Sequence, residues 1–420
     1  MGGVVSSPYL AYKLATTPKY RKGLKERLGI SLPKAPASNP IWCHAVSMGE
    51  VIAVSELLKR VKEEWPSIPL YLSTVTVTGQ ETASTRLGGV ADAVFYLPFD
   101  LPPVVSRVVN RVRPRIFLVA ETELWPGLIT ELGERKIPQI LVNGRLSPGS
   151  FKNYHAFKAF MRPLLGRFNR LCMQSRRDAA RMVALGAPAE KVLFTGNLKY
   201  DTIIASLDEI DPQKVREELG IPGGSKVVVA GSTHQGEEEA MLDLLRDAPE
   251  DERPLLVLAP RHPERWDEAA RLLEERGIGF VRRSSGMPVE ENRVLLLDTL
   301  GELARAYSVA DVAFVGGSLV EKGGHNPLEP AALGVPVVMG PHLFNFQEVS
   351  QLLSKAGGLS VCQGAEEVVA QITHLLTHPE ETKAMGERGR EAVLQNRGAL
   401  ERTLQVIAEV VEKATNKTTG

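Results

Sequence analysis

The sequence predicts an α/β protein built from two doubly wound parallel sheets, each in a domain of its own. Short apolar runs bounded by Gly, Pro, Asn or Ser recur along the chain, and most are apolar at nearly every position. This pattern is typical of parallel strands that are covered on both faces. Longer amphipathic segments separate the runs, so strand, helix and strand follow one another as βαβ units. The alternation pauses at the polar stretch 202–225, where we place a domain boundary.

The predicted strands fall into two groups on either side of this boundary, with helices such as 49–65 and 263–277 between them. The boundary predicts one domain over residues 1–205 and another over 206–420. The last helix of the second domain could pack back on the first domain. In the first group the strands are 40–47, 69–76, 93–99, 115–121, 138–145, 170–175 and 191–197. In the second group they are 226–231, 254–260, 293–299, 312–317 and 336–340.

The overall composition excludes several classes of protein. The chain has 420 residues, a length that favours two domains over a single core. Its hydrophobic content of 43% is ordinary for a globular protein. Fifty basic and fifty acidic residues balance, which argues against a nucleic-acid-binding protein. The three cysteines lie far apart without metal-ligand spacing, so we expect neither a structural zinc nor a disulfide framework. No apolar run is long enough to span a bilayer, which predicts a soluble or peripheral protein.

Ligands of doubly wound sheets bind beyond the carboxyl ends of the strands, and two facing sheets would form a cleft there. In the first domain three charged residues follow predicted strands. Glu50 either complements the dipole of the helix that it begins or acts as a general base, which would require partial desolvation. Glu121 either pairs locally or faces the cleft. Lys199 is either a solvated surface charge or faces an anionic group.

In the second domain the strand ends carry residues suited to a phosphate or a nucleoside. Ser232 and Thr233 either cap a helix or line the cleft. Arg261 is held between prolines at a strand end, which suits an anion. The segment after the next predicted strand has the same form. Thr299 and Gly301 precede a helix whose free N–H groups could bind an anion.

The stretch "GGSLVEKGGHNPLEP" (316–330) follows a buried strand. Gly316, Gly317 and Ser318 would let the backbone approach a ligand. Asn326 and Glu329 could simply cap the next helix. The glycine-rich lead-in instead favours a nucleoside, with Glu329 accepting hydrogen bonds from ribose hydroxyls.

Two common nucleotide-binding patterns are missing from the sequence. The stretch "GSTHQGEEE" has Glu237 and Glu238 where a P-loop requires Lys and Ser or Thr. No strand leads into a GxGxxG fingerprint. Both observations disfavour a nucleotide triphosphatase and a dinucleotide-dependent enzyme.

The strand-end motifs together resemble a known family. "HAVSMGEV", "ETELWP", "NGRLS", "GNLKYD", "GSTHQGEEE", "PRHPER", "DTLGEL" and "FVGGSLVEKGGHNPLEPAALGVPVVMGPH" occur in that order. The chain resembles, over residues 18–400, the bacterial 3-deoxy-D-manno-octulosonic acid (Kdo) transferases of lipopolysaccharide synthesis. The resemblance implies a GT-B fold of two Rossmann-like domains. It also implies inverting transfer of Kdo from CMP-Kdo to the glucosamine disaccharide of a lipid A precursor. The charge that develops on the leaving CMP can be met by Arg261 and helix N-termini, so we expect no metal or other cofactor.

The same resemblance assigns roles to matching residues. Glu50 would be the general base, and Glu121 and Lys199 would stabilise the transition state. Independently of the resemblance, further candidates for the cleft are Ser232, Thr233, Gly317, Ser318 and His325. CMP would be held by Pro260, Arg261, Leu300, Gly301, Glu302, Asn326, Pro327, Leu328 and Glu329.

Other functions compete with this interpretation. A different GT-B glycosyltransferase or a sugar-nucleotide epimerase would share the fold, and recognition of uridine instead of cytidine would identify it. A non-catalytic sugar-nucleotide-binding protein would bind donor without turnover and would not need a carboxylate at Glu50. A peripheral membrane scaffold would leave the strand-end residues unexplained.

The amino-terminal segment predicts contact with an anionic membrane surface. Residues 1–30 contain six basic residues against Glu26 alone, a net charge of +5. Many members of the family begin with an apolar anchor, so we expect either that the anchor is absent from this chain or that this member binds the surface differently. The expected location is the cytoplasmic face of the bacterial inner membrane. The first domain would also receive acyl chains, on a face that the sequence does not locate. The segment's charged and apolar residues are Lys13, Lys19, Arg21, Lys22, Lys25, Arg27, Val4, Val5, Tyr9, Leu10, Tyr12 and Leu14.

Overall fold

A computed structural model describes residues 22–33, 38–247, 253–289 and 293–416. The chain divides into two compact units, of which unit 1 holds residues 1–202 and 397–420 and unit 2 holds residues 203–396. The carboxyl-terminal residues 397–420 thus belong to unit 1, whereas the predicted second domain ran over 206–420. Most of the amino-terminal segment that we expect at a membrane, residues 1–21, lies outside the described residues.

The described part of unit 1 contains a parallel sheet whose strands match those predicted in the first half. The strand order is β3-β2-β1-β4-β5-β6-β7, so the chain winds first to one side of β1 and then to the other. The strands are β1 (Ile41–His44), β2 (Leu70–Thr74), β3 (Ala93–Tyr96), β4 (Ile116–Ala120), β5 (Gln139–Gly144), β6 (Arg170–Met173) and β7 (Val192–Phe194).

Helices cover both faces of this sheet, since each strand presents apolar side chains on both sides. Several helices begin where a side chain caps the first turn: Thr76 accepts from Gly79 N–H and Ser175 from Asp178 N–H. The helices are α1 (Leu24–Arg27), α2 (Met48–Glu64), α3 (Val77–Leu87), α4 (Pro102–Val112), α5 (Pro126–Glu134), α6 (Pro148–His155), α7 (Lys158–Leu165), α8 (Arg176–Leu185) and α9 (Leu198–Leu207), which reaches into unit 2.

The last helix, α18 (Ala399–Asn416), packs in unit 1 although it is distant in sequence. Its Ile407 and Val411 are buried in the same apolar cluster as Val54 and Leu58 of α2. The Asp201 carboxylate accepts hydrogen bonds from the backbone N–H groups of Gly398 and Ala399 at 2.8 and 2.9 Å. Apolar burial and this cap together explain why the end of the chain belongs to unit 1.

Unit 2 contains a second parallel sheet with the order β10-β11-β9-β8-β12-β13-β14. Its central strands match the predicted ones, but the edge strands β10 and β14 were not predicted. The strands are β8 (Val227–Thr233), β9 (Leu255–Pro260), β10 (Phe280–Arg282), β11 (Val294–Leu296), β12 (Val312–Val315), β13 (Val337–Met339) and β14 (Leu359–Val361).

The helices of unit 2 complete a second doubly wound layer structure. They are α10 (Pro212–Glu218), α11 (Glu237–Asp247), α12 (Trp266–Glu275), α13 (Leu303–Tyr307), α14 (Leu328–Ala332), α15 (Gln347–Ala356), α16 (Ala365–Thr377) and α17 (Pro379–Gln395). Across the described ranges, no helix has both the length and the apolarity needed to cross a bilayer. The predicted α/β class with two parallel sheets is confirmed.

Candidate functional site

Glu50 lies in the first turn of α2, directly beyond the carboxyl end of β1, and only 7% of it is exposed. One carboxylate oxygen accepts a hydrogen bond from Val46 N–H at 2.8 Å, and the other accepts from the Ser47 hydroxyl at 3.0 Å. The side chain is therefore folded back over the strand–helix turn and held at two points.

Burial raises the pKa of Glu50 from 4.5 to about 7. The Val46 hydrogen bond opposes this shift, the charges of Glu121 and Glu123 add to it, and the Ser47 hydrogen bond opposes it. The effect of desolvation on the pKa thus exceeds that of the two hydrogen bonds. Partial desolvation is the condition that the sequence analysis gave for a general base at this position.

Glu121 lies close enough to Glu50 to raise its pKa, and Lys199 pairs with Glu121. Glu121 follows β4, the neighbour of β1 in the sheet, and its Oε1 is 3.8 Å from Lys199 Nζ. The Lys199 side chain is 42% exposed, so this ion pair is in contact with solvent. The sequence predicted all three residues at strand ends, and the fold brings them to one edge of the sheet.

The backbone at Glu121 is held in an unusual conformation. Its φ of +53° lies in the left-handed region, which costs a residue with a Cβ about 1 kcal/mol or more. Its N–H donates to Val142 O at 2.9 Å, which ties the turn to β5. Such strain is common where a chain must direct a side chain towards a ligand.

Asn143 is a buried residue that sequence reasoning did not select, although the motif "NGRLS" contains it. It too has a positive φ, +55°, and its Oδ1 accepts from the backbone N–H of Leu198 at 3.0 Å. The amide thereby fixes the start of α9 and with it the position of Lys199. The signal available in the sequence was a polar Asn at the end of the apolar run that forms β5.

Unit 2 contains a cavity of about 300 Å³ beyond the carboxyl ends of β8 and β12. Five of the residues predicted for the site line it. Four apolar or aromatic residues that were not predicted complete the wall. The lining consists of Ser232, Arg261, His325, Asn326 and Glu329, together with Leu303, Tyr307, Val315 and Phe346.

Glu329 is the acidic group of this cavity wall. Burial raises its pKa, while the hydrogen bond from Asn326 and the charge of Arg261 oppose the shift. Asn326 Nδ2 donates to Glu329 Oε1 at 3.1 Å, and Asn326 Oδ1 accepts from Leu328 N–H. Pro327 is the N-cap residue of α14, so Asn326 lies one residue before the predicted cap position although it accepts from the first N–H of the helix. The Glu329 carboxylate also lines the cavity.

Three histidines cluster beside the cavity. His234 Nε2 and His325 Nε2 are 2.9 Å apart, so one ring donates and the other accepts. The ring of His262 lies 5.7 Å from that of His234. Burial and the charge of Arg261 lower the pKa of His325 to about 4. His234 and His262 were not predicted; their positions just after β8 and β9 were the available signal.

The glycine-rich loop supports the His325 ring. Gly317 has a φ of +67°, and a Cβ at this position would lie 2.8 Å from His325 Cδ2. Glycine is therefore required at 317 for both the backbone conformation and the space that the ring occupies.

Three backbone N–H groups of this loop donate to a side chain of unit 2 and are not free to meet a ligand. Glu237 is fully buried, and its carboxylate accepts from the N–H groups of Gly317, Ser318 and Leu319 at 2.8 to 2.9 Å. Glu238, also fully buried, pairs with Arg265 at 3.0 Å. Glu237 therefore stabilises the glycine-rich loop, whereas Glu238 stabilises the segment that follows β9 through Arg265.

The remaining predicted residues do not line the cavity. Pro260, Thr233, Ser318, Pro327 and Leu328 are buried. Leu300 is 77% exposed and Gly301 is also exposed, while the Glu302 carboxylate pairs with Arg283 at 3.0 Å. Contacts of these residues with CMP stay a prediction. In the described ranges, no group of three or more His, Cys, Asp or Glu residues is arranged to hold a metal ion.

Solved structures with the same fold define the class of protein. UDP-GlcNAc 2-epimerase from Neisseria meningitidis superposes with a TM-score of 0.60 at 15% identity, over 89% of this chain and 100% of that one. A glycosyltransferase from Rickettsia africae gives a TM-score of 0.55 at 11% identity, over 90% and 99%. At such identities the likeness concerns the fold, which is GT-B.

Sequence relatives then identify the family. The model described as 3-Deoxy-D-manno-octulosonic-acid transferase (kdotransferase) matches residues 22–202, and that of Glycosyl transferases group 1 matches 290–392. A 3-deoxy-D-manno-octulosonic acid transferase of Haemophilus influenzae is 39% identical over 94% of this chain and 93% of its own length. One from Bordetella pertussis is 34% identical over 91% and 90%. The chain belongs to the 3-deoxy-D-manno-octulosonic acid transferases, and the predicted resemblance is confirmed.

Proposed function

We propose that this glycosyltransferase moves Kdo from CMP-Kdo to the glucosamine disaccharide of a lipid A precursor, lipid IVA, with inversion at the anomeric carbon. The observation that carries the proposal is the buried, doubly hydrogen-bonded Glu50, whose pKa is raised to about 7. A general base works best when its pKa is near the operating pH.

The proposed reaction is a single in-line displacement. The acceptor hydroxyl gives its proton to Glu50 while its oxygen forms a bond to the anomeric carbon of Kdo. The bond between that carbon and the phosphate oxygen breaks, and the electron pair leaves with CMP. One displacement inverts the configuration and needs no covalent sugar–enzyme intermediate.

The neighbouring charges suit the transition state of such a transfer. Glycosyl transfer passes through an oxocarbenium-like state, in which positive charge develops on the sugar. We assign Glu121 to stabilise this charge and Lys199, 3.8 Å away, to offset the negative charge of the reacting groups.

We assign CMP to the cavity of unit 2. Arg261 would meet the phosphate, whose negative charge grows as the bond breaks, and Glu329 would accept hydrogen bonds from the ribose. Pro260, Leu300, Gly301, Glu302, Pro327 and Leu328 are the further contacts that we propose. No metal or other cofactor enters the proposed steps.

The proposed acceptor is a lipid, so we further propose that the protein works as a peripheral protein on the cytoplasmic face of the inner membrane, with residues 1–30 near anionic headgroups.

The proposed reaction is tested by incubating the protein with freshly generated CMP-Kdo and tetraacylated lipid A precursor and measuring the mass of the lipid by mass spectrometry. One or more added Kdo masses would support the assignment. Consumption of CMP-Kdo without any gain in lipid mass would reject the acceptor.

The proposed base makes a prediction about pH dependence. Activity should rise with pH through an apparent pKa near 7, because Glu50 accepts a proton only when it is ionised. Ser47→Ala removes a hydrogen bond that favours the carboxylate, so the acid limb should shift upward by about one pH unit. Glu123→Gln removes a charge that disfavours ionisation, so the limb should shift downward.

These opposite shifts are read from kcat/KM profiles between pH 5 and 9 at saturating donor. Glu56→Gln serves as the control, because Glu56 lies on the same helix and pairs with Lys59 at 2.8 Å. Profiles of the Ser47 and Glu123 variants that coincide with that of the control would contradict the assignment of the limb to Glu50.

A further inference from the structure

Two histidine rings beside the cavity of unit 2 are in direct contact and have no role in the proposed chemistry. His325 lines the cavity, and its ring lies nearly parallel to that of His234, with the centroids 5.2 Å apart. The two Nε2 atoms are 2.9 Å apart, a distance that requires one hydrogen atom between them. Hydrogen atoms on both Nε2 atoms would place N–H against N–H. The pair can therefore take up one further proton, on a ring nitrogen outside this contact, without losing its hydrogen bond.

The fold builds this contact through the buried carboxylate of Glu237. Its Oε2 accepts from His234 N–H at 2.9 Å and from Gly317 N–H at 2.8 Å. His325 N–H in turn donates to Gly316 O at 3.0 Å. One side chain thus fastens the segment that carries His234 to the loop that carries His325. The hydrogen bond between the rings is an addition to these backbone contacts, which already set the position of both residues.

Basic groups surround the pair. Burial lowers the pKa of His234, and the basic groups around it lower this pKa further. In order of effect these groups are His262, Lys322, Arg265 and Arg261. Burial also lowers the pKa of His325 from 6.5 to about 4, and Arg261 is the largest of the charges that add to this effect. Without a ligand, the pair is therefore neutral near pH 7.

The acidic groups near the pair have other partners. Glu237 accepts from four backbone N–H groups, and Glu238 forms an ion pair at 3.0 Å. Glu329 accepts from Asn326 Nδ2 at 3.1 Å. Tyr307, which also lines the cavity, stays neutral because burial raises its pKa. The two rings and the basic groups around them thus favour an anion in this part of the cavity.

We propose that the His234–His325 pair binds the phosphate of the donor and takes up one proton from solvent when it does so. His325 Nδ1–H donates to a phosphate oxygen, His325 Nε2 accepts from His234 Nε2–H, and the added proton binds to His234 Nδ1. His325 contacts the ligand, and His234 is a positioning residue that carries the charge. This inference rests on the proposed assignment of CMP to the cavity, and it makes that site responsive to the charge of the phosphate.

This response favours the transition state over the bound donor. The phosphate of CMP-Kdo is a diester with one negative charge, whereas the phosphate of CMP is a monoester with two charges above about pH 6. Negative charge therefore grows on the phosphate as the bond to the anomeric carbon breaks. A protonated pair attracts the growing charge more strongly than the initial charge, so it stabilises the transition state more than the ground state. The proton stays on the pair during the displacement and returns to solvent when CMP leaves.

The test is calorimetric titration of the full chain with CMP at pH 7 in buffers of different ionisation enthalpy, which counts the protons taken up. A phosphate charge about 4 Å from an imidazole favours the imidazolium by about three pH units at an effective dielectric constant near 20. We therefore expect about half a proton per bound CMP. Cytidine, which lacks the phosphate, should bind without proton uptake. The methyl ester of CMP, which keeps one phosphate charge, should cause less uptake than CMP.

A double variant without either ring tests the location of the proton. His234→Gln/His325→Gln keeps two side chains that can form hydrogen bonds to each other but cannot be protonated. Its proton uptake should fall to about a tenth of the wild-type value or less. Its affinity for CMP should be about fourfold lower than wild type at pH 6.5 and nearly equal at pH 8.5, where the wild-type pair is neutral with CMP bound. A purely structural role would lower the affinity by the same factor at both pH values.

Two further variants make the result specific to the pair. His374→Gln is the matched control, because His374 lies on α16 and pairs with Glu381 at 2.8 Å. It should keep the wild-type proton count. His262→Gln should keep it too, because the His262 ring lies 5.7 Å from that of His234 and outside the hydrogen bond between the two rings. Melting temperatures establish that each variant remains folded, and the wild-type proton count requires no variant.

The possible outcomes separate this inference from the proposed function. CMP binding to the wild type without proton uptake would overturn the inference and leave the CMP site intact. Uptake that persists in the double variant, or that is lost in His262→Gln, would assign the proton to another group and would also overturn it. Absence of CMP binding would reject the proposed CMP site, and this inference with it.

Discussion

Replacing Glu50 by Gln should lower the rate of Kdo transfer by about 10²- to 10⁴-fold while leaving the affinity for CMP nearly unchanged. A positioned general base contributes rate factors of this size, and an amide cannot accept the proton. The cavity assigned to CMP is formed by residues of unit 2, whereas Glu50 belongs to unit 1. The measurement is kcat from lipid mass spectrometry, paired with CMP titration by calorimetry.

The substitution should be tolerated by the fold. The Gln oxygen can accept from Val46 N–H, and its NH₂ group can donate to the Ser47 hydroxyl, which rotates to accept. Desolvation of a charge is also removed, so the thermal stability near pH 8 should not fall. The sign follows from the raised pKa: from about 4.5 to 7 the folded state holds a proton that the unfolded state has lost, so stability decreases as pH rises through this range.

The outcome separates catalysis from folding and from binding. Glu56→Gln makes the same chemical change on the same helix and should retain normal transfer. Normal turnover by the Glu50→Gln variant would remove the residue as the base. Loss of both turnover and CMP affinity would assign Glu50 to donor binding.

The sequence predicted the buried strands of both sheets, but it did not predict the two edge strands of the sheet in unit 2. The central strands β8, β9 and β12 are apolar on both faces and stand out in the sequence. The edge strands β10 and β14 have three residues each, including the half-buried Arg282 and Ser360. An edge strand is covered less and paired on one side only, so it carries a weaker apolar signal.

The site residues were predictable as positions, but their partners were not. Strand ends direct side chains to the ligand-binding edge, so Glu50, Arg261 and Glu329 could be selected from the sequence. That Glu237 occupies the N–H groups of the glycine-rich loop depends on a contact across 80 residues. Local patterns carry no information about such long-range contacts.

The same limit applies to the acidity of Glu50. The sequence places it at a helix start, where the dipole lowers a carboxylate pKa. Burial and the charges of Glu121 and Glu123 reverse the direction, and these depend on the packing of β4 against β1. The chemistry of the residue is thus set by tertiary structure, whereas its location is set by the chain.

Replacing Glu329 by Ala should weaken CMP binding about 10- to 100-fold. Hydrogen bonds to a charged group contribute about 1.5 to 3 kcal/mol, and 1.4 kcal/mol corresponds to a factor of ten. The carboxylate lines the cavity and is fixed by Asn326 at 3.1 Å, so its position is set before the ligand arrives. Calorimetric titration of the full chain with CMP gives the dissociation constants.

Ligand analogues decide whether the lost contact is to the ribose. With 2′-deoxy- and 3′-deoxycytidine monophosphate, the analogue that lacks the contacted hydroxyl should bind the wild type and the Glu329→Ala variant equally. Glu321→Ala provides the control, since Glu321 is exposed on the same loop and does not line the cavity. If Glu329→Ala reduces the affinity for CMP and for both analogues by the same factor, Glu329 acts on another part of the ligand or on the cavity itself, and the ribose assignment is wrong.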